Sequence, residues 1–224
     1  MFYSFAFVRH LSVILSATLR LREEFQQTGW VSENMDERQR RTRSRLFAAV
    51  LDLAADSRAE DLTVTEIAER AGVHRSTVYE HASSPPGLLR QALEAELDEV
   101  RAQYLGDVTE ETLPLAIQDV TRAVLVHVLD HAAIYRRGLA LGGALHDFLS
   151  AHFQESSRLL LERGMRVPLA SGSIPSAVVD AVAIRYVADG TVGAIAEWLA
   201  EPGDPDEFLG VLAQLTPQWW PLLK

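Results

Sequence analysis

Apolar residues recur every three or four positions along most of this chain, and no stretch alternates cleanly with a period of two. The first spacing is that of a helix burying one stripe, the second that of a half-buried strand. An all-α protein is therefore expected. Leu46, Phe47, Val50, Leu51 and Ala54 mark a helix over 41–57, followed by a polar connector from Arg58 to Asp61. Thr63-Val-Thr-Glu66 reads as a capping box, in which the threonine hydroxyl accepts from the Glu66 amide and the glutamate reaches back. The helix it opens carries Ile67 and Ala68 inward and stops at Gly72, the residue type that most often ends a helix. Val73 and Val78 then stand at the spacing of a hydrophobic staple across the start of a third helix near His74 or Arg75. After Ser83-Ser-Pro-Pro-Gly87 a long helix runs to about Leu105, its stripe formed by Leu88, Leu89, Ala92, Leu93, Leu97, Val100 and Tyr104. Further helices are expected over 115–131, 134–141, 145–163, 175–199 and 205–215, separated by glycine- and proline-bearing breaks.

The stretch 62–81 thus reads as two short helices joined by a tight turn, the arrangement that lays a second helix in the DNA major groove. Such a helix needs side chains that reach base edges and others that hold phosphates. His74, Arg75, Ser76, Thr77, Tyr79 and His81 are all polar-tipped, while Val78 faces the core. Arg75 suits a guanine edge or a phosphate. Ser76 and Thr77 suit bases or phosphates, and the Thr77 methyl suits a thymine methyl. Tyr79 and His81 are expected to touch the DNA backbone, and the Thr63 and Thr65 region to turn helix-terminal amides toward a phosphate. Ahead of the pair, Arg41, Arg43 and Arg45 can hold the backbone or enter a minor groove.

Charge at first argues against this, because the 224 residues carry a formal net charge of -10. The distribution reverses the argument. Arg38, Arg40, Arg41, Arg43 and Arg45 crowd into eight positions without an acid, whereas from Ser83 onward ten basic residues face nineteen acidic ones. Lys224 is the only lysine, so every other cation is arginine, the side chain that grips phosphate as a fork. Hydrophobic residues make up 48% of the chain, enough for a sizeable core. With no cysteine there is no disulfide, thiolate nucleophile or zinc-thiolate site, which fits a cytoplasmic location.

Residues 1–35 form an N-terminal extension. Its apolar start is interrupted by Arg9 and His10, and Leu11 to Leu19 is too short to span a bilayer. It has neither the basic leader nor the small-residue cleavage site of a signal peptide, so no membrane partner is expected. Either it forms an extra helix or the true start is Met35, which opens a polar basic arm; the second reading is favoured.

Arg43 to Leu89 resembles the DNA-binding domain of the TetR family of bacterial transcriptional regulators. The resemblance is carried by Leu62-Thr-Val-Thr-Glu-Ile-Ala-Glu-Arg-Ala-Gly-Val73 and Ser76-Thr-Val-Tyr-Glu-His81. Where the family has an aromatic residue and then a lysine opening the fourth helix, this chain has Ala82 and Pro85, and Glu80 puts an acid near the DNA backbone. The resemblance implies a helix-turn-helix DNA-binding domain over 36–84 and a helical regulatory and dimerisation domain over 85–224. It also implies a transcriptional repressor, dimeric on a pseudo-palindromic double-stranded DNA operator and released by a small-molecule effector.

The C-terminal sequence agrees with dimerisation. Helix 175–199 is apolar almost all round, and such a helix must be buried all round. Val182, Tyr186, Gly190, Gly193 and Ala194, with Phe208 and Leu212 on the last helix, are the expected interface of a two-protomer four-helix bundle. An effector pocket is expected among Val124, His127, His131, Tyr135, His146, Phe148, His152, Tyr186 and Trp198. His127 and His131 are four apart, a metal-ligand spacing, but the sequence offers no carboxylate or third histidine spaced to complete a site, so neither metal nor cofactor is expected. No glycine-rich phosphate loop, Gly-x-Ser-x-Gly elbow or His-Glu-x-x-His occurs, so an enzyme is not expected. The alternatives are a ligand-independent or degenerate DNA-binding and partner-recruiting protein, and a helical enzyme using His127 or His131 as a base.

Overall fold

Helix α1 covers residues 37–56, and the reason it stops where it does lies far along the chain. The Arg137 guanidinium donates to the carbonyls of Ala54 and Ala55, the latter at 2.7 Å, and so satisfies two of the four carbonyls a helix end leaves without partners. A cation there also opposes the helix dipole favourably. The computed structural model describes residues 37–109, 111–139, 143–163, 165–166, 172–217 and 219–220. The expectations for the N-terminal extension and for Met35 lie outside them. Among the described residues there are nine helices and no strand.

After α1 come α2 (Val64–Ala71), α3 (Arg75–His81), α4 (Pro85–Leu105), α5 (Leu113–Asp130), α6 (Ala132–Gly138), α7 (Ala144–Glu162), α8 (Ser176–Trp198) and α9 (Pro205–Leu215). The chain divides into two compact units, Met1–Leu46 and Phe47–Lys224, the boundary falling within α1. In the first unit, Arg41 pairs with Glu37 one turn earlier at 2.7 Å, and the hydroxyls of Thr42 and Ser44 donate to the carbonyls of Arg38 and Arg40.

In the second unit the small N-terminal core is built from Val50, Ala54, Ile67, Ala68, Ala71 and Val78, all buried. Helix α4 carries Leu88, Leu89, Ala92, Leu93, Leu97 and Leu105 on its buried face and packs on α5 and α7. Helix α7 packs in turn on α8, and α9 lies against α5 and α8. Arg122 of α5 holds Asp206 of α9 through both guanidinium arms, at 2.5 and 2.9 Å. Helix α6 has only seven residues, yet it ties three parts together. Arg137 caps α1, Arg136 donates to the Leu199 carbonyl at the end of α8 (2.7 Å), and Tyr135 is fully buried.

Three details of the packing bear on the body's role. Pro85 and Pro86 fill the first turn of α4, where proline loses no helical hydrogen bond, and the Ser84 hydroxyl caps them by accepting from the Gly87 amide at 3.2 Å. The link from α3 to α4 is therefore only residues 82–84. Within one chain helix α8 keeps one side open, the side expected to meet a second protomer. Ile184, Ala188, Val192 and Ile195 face inward, while Val178, Val182 and Tyr186 face outward. Of the residues expected at the interface, Leu212 is buried within the chain and Phe208 stacks on Trp198 (4.6 Å between ring centres, 4° between planes).

Candidate nucleic-acid interface

The turn between α2 and α3 is set by backbone hydrogen bonds rather than by chance packing. Gly72 adopts the left-handed conformation (φ 63°, ψ 44°), in which a Cβ is strained. Its N–H donates to Glu69 O at 3.2 Å and that of Val73 to Ala68 O at 3.0 Å. This is the Schellman pairing, which closes a helix and redirects the chain. At the other end of α2 the expected capping box is complete. Thr63 Oγ1 accepts from the Glu66 amide at 3.2 Å and donates to Glu66 Oε2 at 2.7 Å, and the Thr63 amide donates to the same carboxylate at 2.8 Å. These bonds to Thr63 hold the Glu66 carboxyl below the usual range.

That box corrects one role read from the sequence. The Thr63 amide and hydroxyl are both engaged by Glu66, which brings negative charge to the helix start, so Thr63 is a structural cap and not a phosphate hook. Thr65 takes a different part. Its hydroxyl accepts from Arg75 Nη1 at 3.0 Å, so α2 braces the first side chain of α3. Asp52 of α1 pairs with Arg70 of α2 and fixes the pair to the helix before it.

Helix α3 is seated by a single buried side chain, Val78. Around it His74, Arg75, Ser76 and Tyr79 are exposed, Tyr79 by 62%, and Thr77 and His81 are half-buried. The structure thus brings six of the sequence-predicted residues onto one short helix and its N-cap. Glu80 is exposed on it too, and Ala82 is buried at its end. In the first unit Arg41, Arg43 and Arg45 are exposed. Arg41 is partly neutralised by Glu37, whose carboxyl it draws below the normal range.

The residues expected to share one pocket are distributed among separate environments. Val124 and His152 line a narrow cavity between α5, α7 and α8 with Ile117, Val120, Phe153 and Leu160, of about 40 Å³, room for a few waters. Tyr186 is 66% exposed and lines an open groove between α8 and α9 instead, Trp198 is packed on Phe208, and Phe148 is half-buried. His146 is buried, its Nδ1 3.6 Å from Asp147. His127, His131 and Tyr135 form a polar cluster with Glu96 of α4, which sequence spacing could not reveal because Glu96 lies thirty-one residues before His127. Another opening, of about 380 Å³, lies where the end of α1 and the start of α4 meet α6 and α7, bounded by Ser57, Arg58, Pro86, Arg90, Arg137 and Leu145.

His152 gives a pH signature. Burial first, then the positive charge of Arg101 and the nearness of His127, push its pKa down to about 3. Arg101 Nη2 lies 2.7 Å from its Nδ1, a bond that needs the neutral ring. An unfolded histidine takes up a proton near pH 6.5. Between those values the unfolded chain binds a proton that the folded chain refuses, so stability must fall as pH falls from 6.5 toward 3. Urea unfolding across that window is expected to lose on the order of 3 kcal/mol from this residue. The His152→Leu variant should show a visibly flatter acid limb, and an identical limb in the two proteins would remove the assignment.

With this geometry in place, comparison with known proteins narrows the reading. The IclR helix-turn-helix domain profile matches residues 48–84, from within α1 to the residue that caps α4. Among solved structures, a TetR transcriptional regulator from Rhodococcus sp. RHA1 superposes with a TM-score of 0.54 at 17% identity, covering 81% of this chain and 98% of that one. The fold is that of the TetR-family regulators. A tetR-family transcriptional regulator from Streptomyces coelicolor gives a TM-score of 0.53 at 18% identity over 78% of this chain and 82% of its own. The fatty acid degradation regulator FadR from Bacillus halodurans gives 0.57 at 16% identity over 77% and 96%. No curated protein sequence matches the chain. Among the described residues, no helix is long and apolar enough to cross a membrane.

Proposed function

We propose that this chain is a dimeric, one-component transcriptional regulator that reads duplex DNA with α3 and represses by occupying an operator. The observation that carries the reading is the exposed polar face of α3, held by Val78 beneath it, by the Gly72 turn before it and by the Arg75–Thr65 bond beside it. A helix fixed at three points can present the same donors to base edges in every encounter, which sequence readout requires. The arginines of 38–45 supply phosphate-binding charge that the acidic remainder of the chain lacks. In this reading residues 36–84 are the reading head and 85–224 the regulatory and dimerising body.

Dimerisation rests on the outer face of α8 and α9. Val178, Val182, Tyr186, Val211 and Leu215 are large apolar side chains exposed in the single chain. Among the described residues, none outside the helix's own nearby backbone lies within 4 Å of a Cβ built at Gly190 or Gly193, so their packing gives no reason for glycine inside that helix. A glycine there costs about 1 kcal/mol relative to alanine, and close approach of a second α8 is the compensation we infer. Two heads on a two-fold axis then match a pseudo-palindrome about one turn apart.

Effector release works through the body: a ligand that favours one arrangement of α4 shifts the heads across the short link 82–84. The 40 Å³ cavity must open to admit an effector.

The test is selection of duplex fragments from genomic DNA by the purified chain, followed by anisotropy titrations at several salt concentrations. The regulator reading expects one enriched inverted repeat, with log affinity falling linearly against log salt. No enrichment, or binding indifferent to sequence, counts against it.

A further inference from the structure

Glu96 of α4 reaches the two histidines at the end of α5. Its Oε2 lies 3.2 Å from His127 Nδ1 and 2.6 Å from His131 Nε2. One oxygen thus meets two imidazole nitrogens, and the three donor atoms all fall within 4.8 Å of one another. This corrects the expectation that no carboxylate completes the His127–His131 pair, because helix packing supplies the carboxylate that local spacing lacks.

We propose that Glu96, His127 and His131 form a binding site for a zinc-class divalent cation. Four features point the same way. Donor atoms around a tetrahedral zinc lie roughly 3.3 Å apart, so the 3.2 Å pair is already at that spacing and the 2.6 Å pair must open by less than an ångström. Glu96 can make that shift, since its side chain is 40% exposed whereas His127 is nearly enclosed.

The second feature is the support behind the first ligand. His127 Nε2 lies 3.0 Å from the hydroxyl of the fully buried Tyr135. Without a cation Nδ1–H donates to Glu96 and the phenol donates to Nε2; with a cation at Nδ1 the phenol oxygen can accept from Nε2–H instead, the tautomer a metal ligand needs.

Third, the donor set selects the ion. Two imidazoles and one carboxylate suit zinc and its neighbours; magnesium and calcium prefer all-oxygen shells, and cuprous copper prefers sulfur, which this cysteine-free chain offers only as methionine. Fourth, three protein ligands with an open side leave a coordination position for water. His131, one-fifth exposed, and Glu96 lie on that side. The bound cation would fasten α4, the helix that follows the reading head, to the end of α5. Any effect on DNA rests on the regulator reading, but the site does not.

The test uses the full chain, stripped with a chelator and titrated with Zn²⁺ against a chromophoric zinc indicator. The site expects one tight ion per chain. Glu96→Gln and His131→Asn should each weaken binding at least about 100-fold, and Tyr135→Phe about 10-fold. Circular dichroism is expected to show all three variants as helical as the parent. Co²⁺ added instead should give the intense visible bands of a low-coordinate nitrogen–oxygen site in the parent and lose them in Glu96→Gln. Absence of stoichiometric Zn²⁺ binding, or binding undiminished in both ligand variants, overturns the proposal whatever the chain does with DNA.

Discussion

Replacing Arg75 and Tyr79 together with alanine is expected to lower affinity for the selected duplex by about 100-fold or more. Each side chain projects from α3 into solvent, and neither supports the core. A lost bidentate base contact is worth about 1–3 kcal/mol and a lost backbone contact somewhat less, so the pair together reaches two decades or beyond. Helix content and thermal midpoint should stay close to the parent's, because only the Arg75–Thr65 bond is broken. That separation is the value of the experiment. Val78→Asp would also abolish binding, but by placing a charge where the structure buries a methyl pair, and the head would unfold with it. Anisotropy on the inverted repeat, read beside a melting curve, checks the result. Undiminished affinity in the double variant would show that α3 is not the reading element.

The second large effect is expected at the outer face of α8. Val182→Glu combined with Tyr186→Glu puts four carboxylates across a two-fold contact, where two valines and two tyrosines would otherwise meet. Both side chains are exposed in the single chain, by 64% and 66%, so the protomer should fold as before. Sedimentation equilibrium should move from dimer to monomer. Affinity for the inverted repeat should then fall by roughly 100- to 10,000-fold, since each head loses the effective concentration its twin provides. Affinity for an isolated half-site should change little. A dimer that persists would place the interface elsewhere.

How much of this was readable beforehand depended on the distance over which each feature is determined. The Thr63–Glu66 box, the Gly72 stop and the Val73–Val78 spacing involve residues at most five apart, and the structure shows the box, the left-handed glycine and the buried valine as expected. Even there one role was misjudged. Thr63 is consumed by the very cap that made it conspicuous. Pro85 and Pro86 open α4 without loss, because at a helix start the missing N–H costs nothing. The body was less legible. Periodicity showed that α8 is apolar but could not show that its outer side stays open in one chain, because burial depends on neighbours that spacing does not specify.

The sequence by itself determined the helical class, the position and boundaries of the helix pair, and the polar face of α3, because these follow from hydrogen bonds and periodicities within a few residues. Only the tertiary structure decided which distant groups meet. Arg137 finds the carbonyls closing α1, Arg136 those closing α8, and Glu96 the two histidines of α5. These pairings span 31 to 83 residues, and no local rule links their members. They exist because packing apolar stripes fixes the helices against one another, and the long polar side chains at the edges then satisfy whatever charges and carbonyls that packing brings within reach.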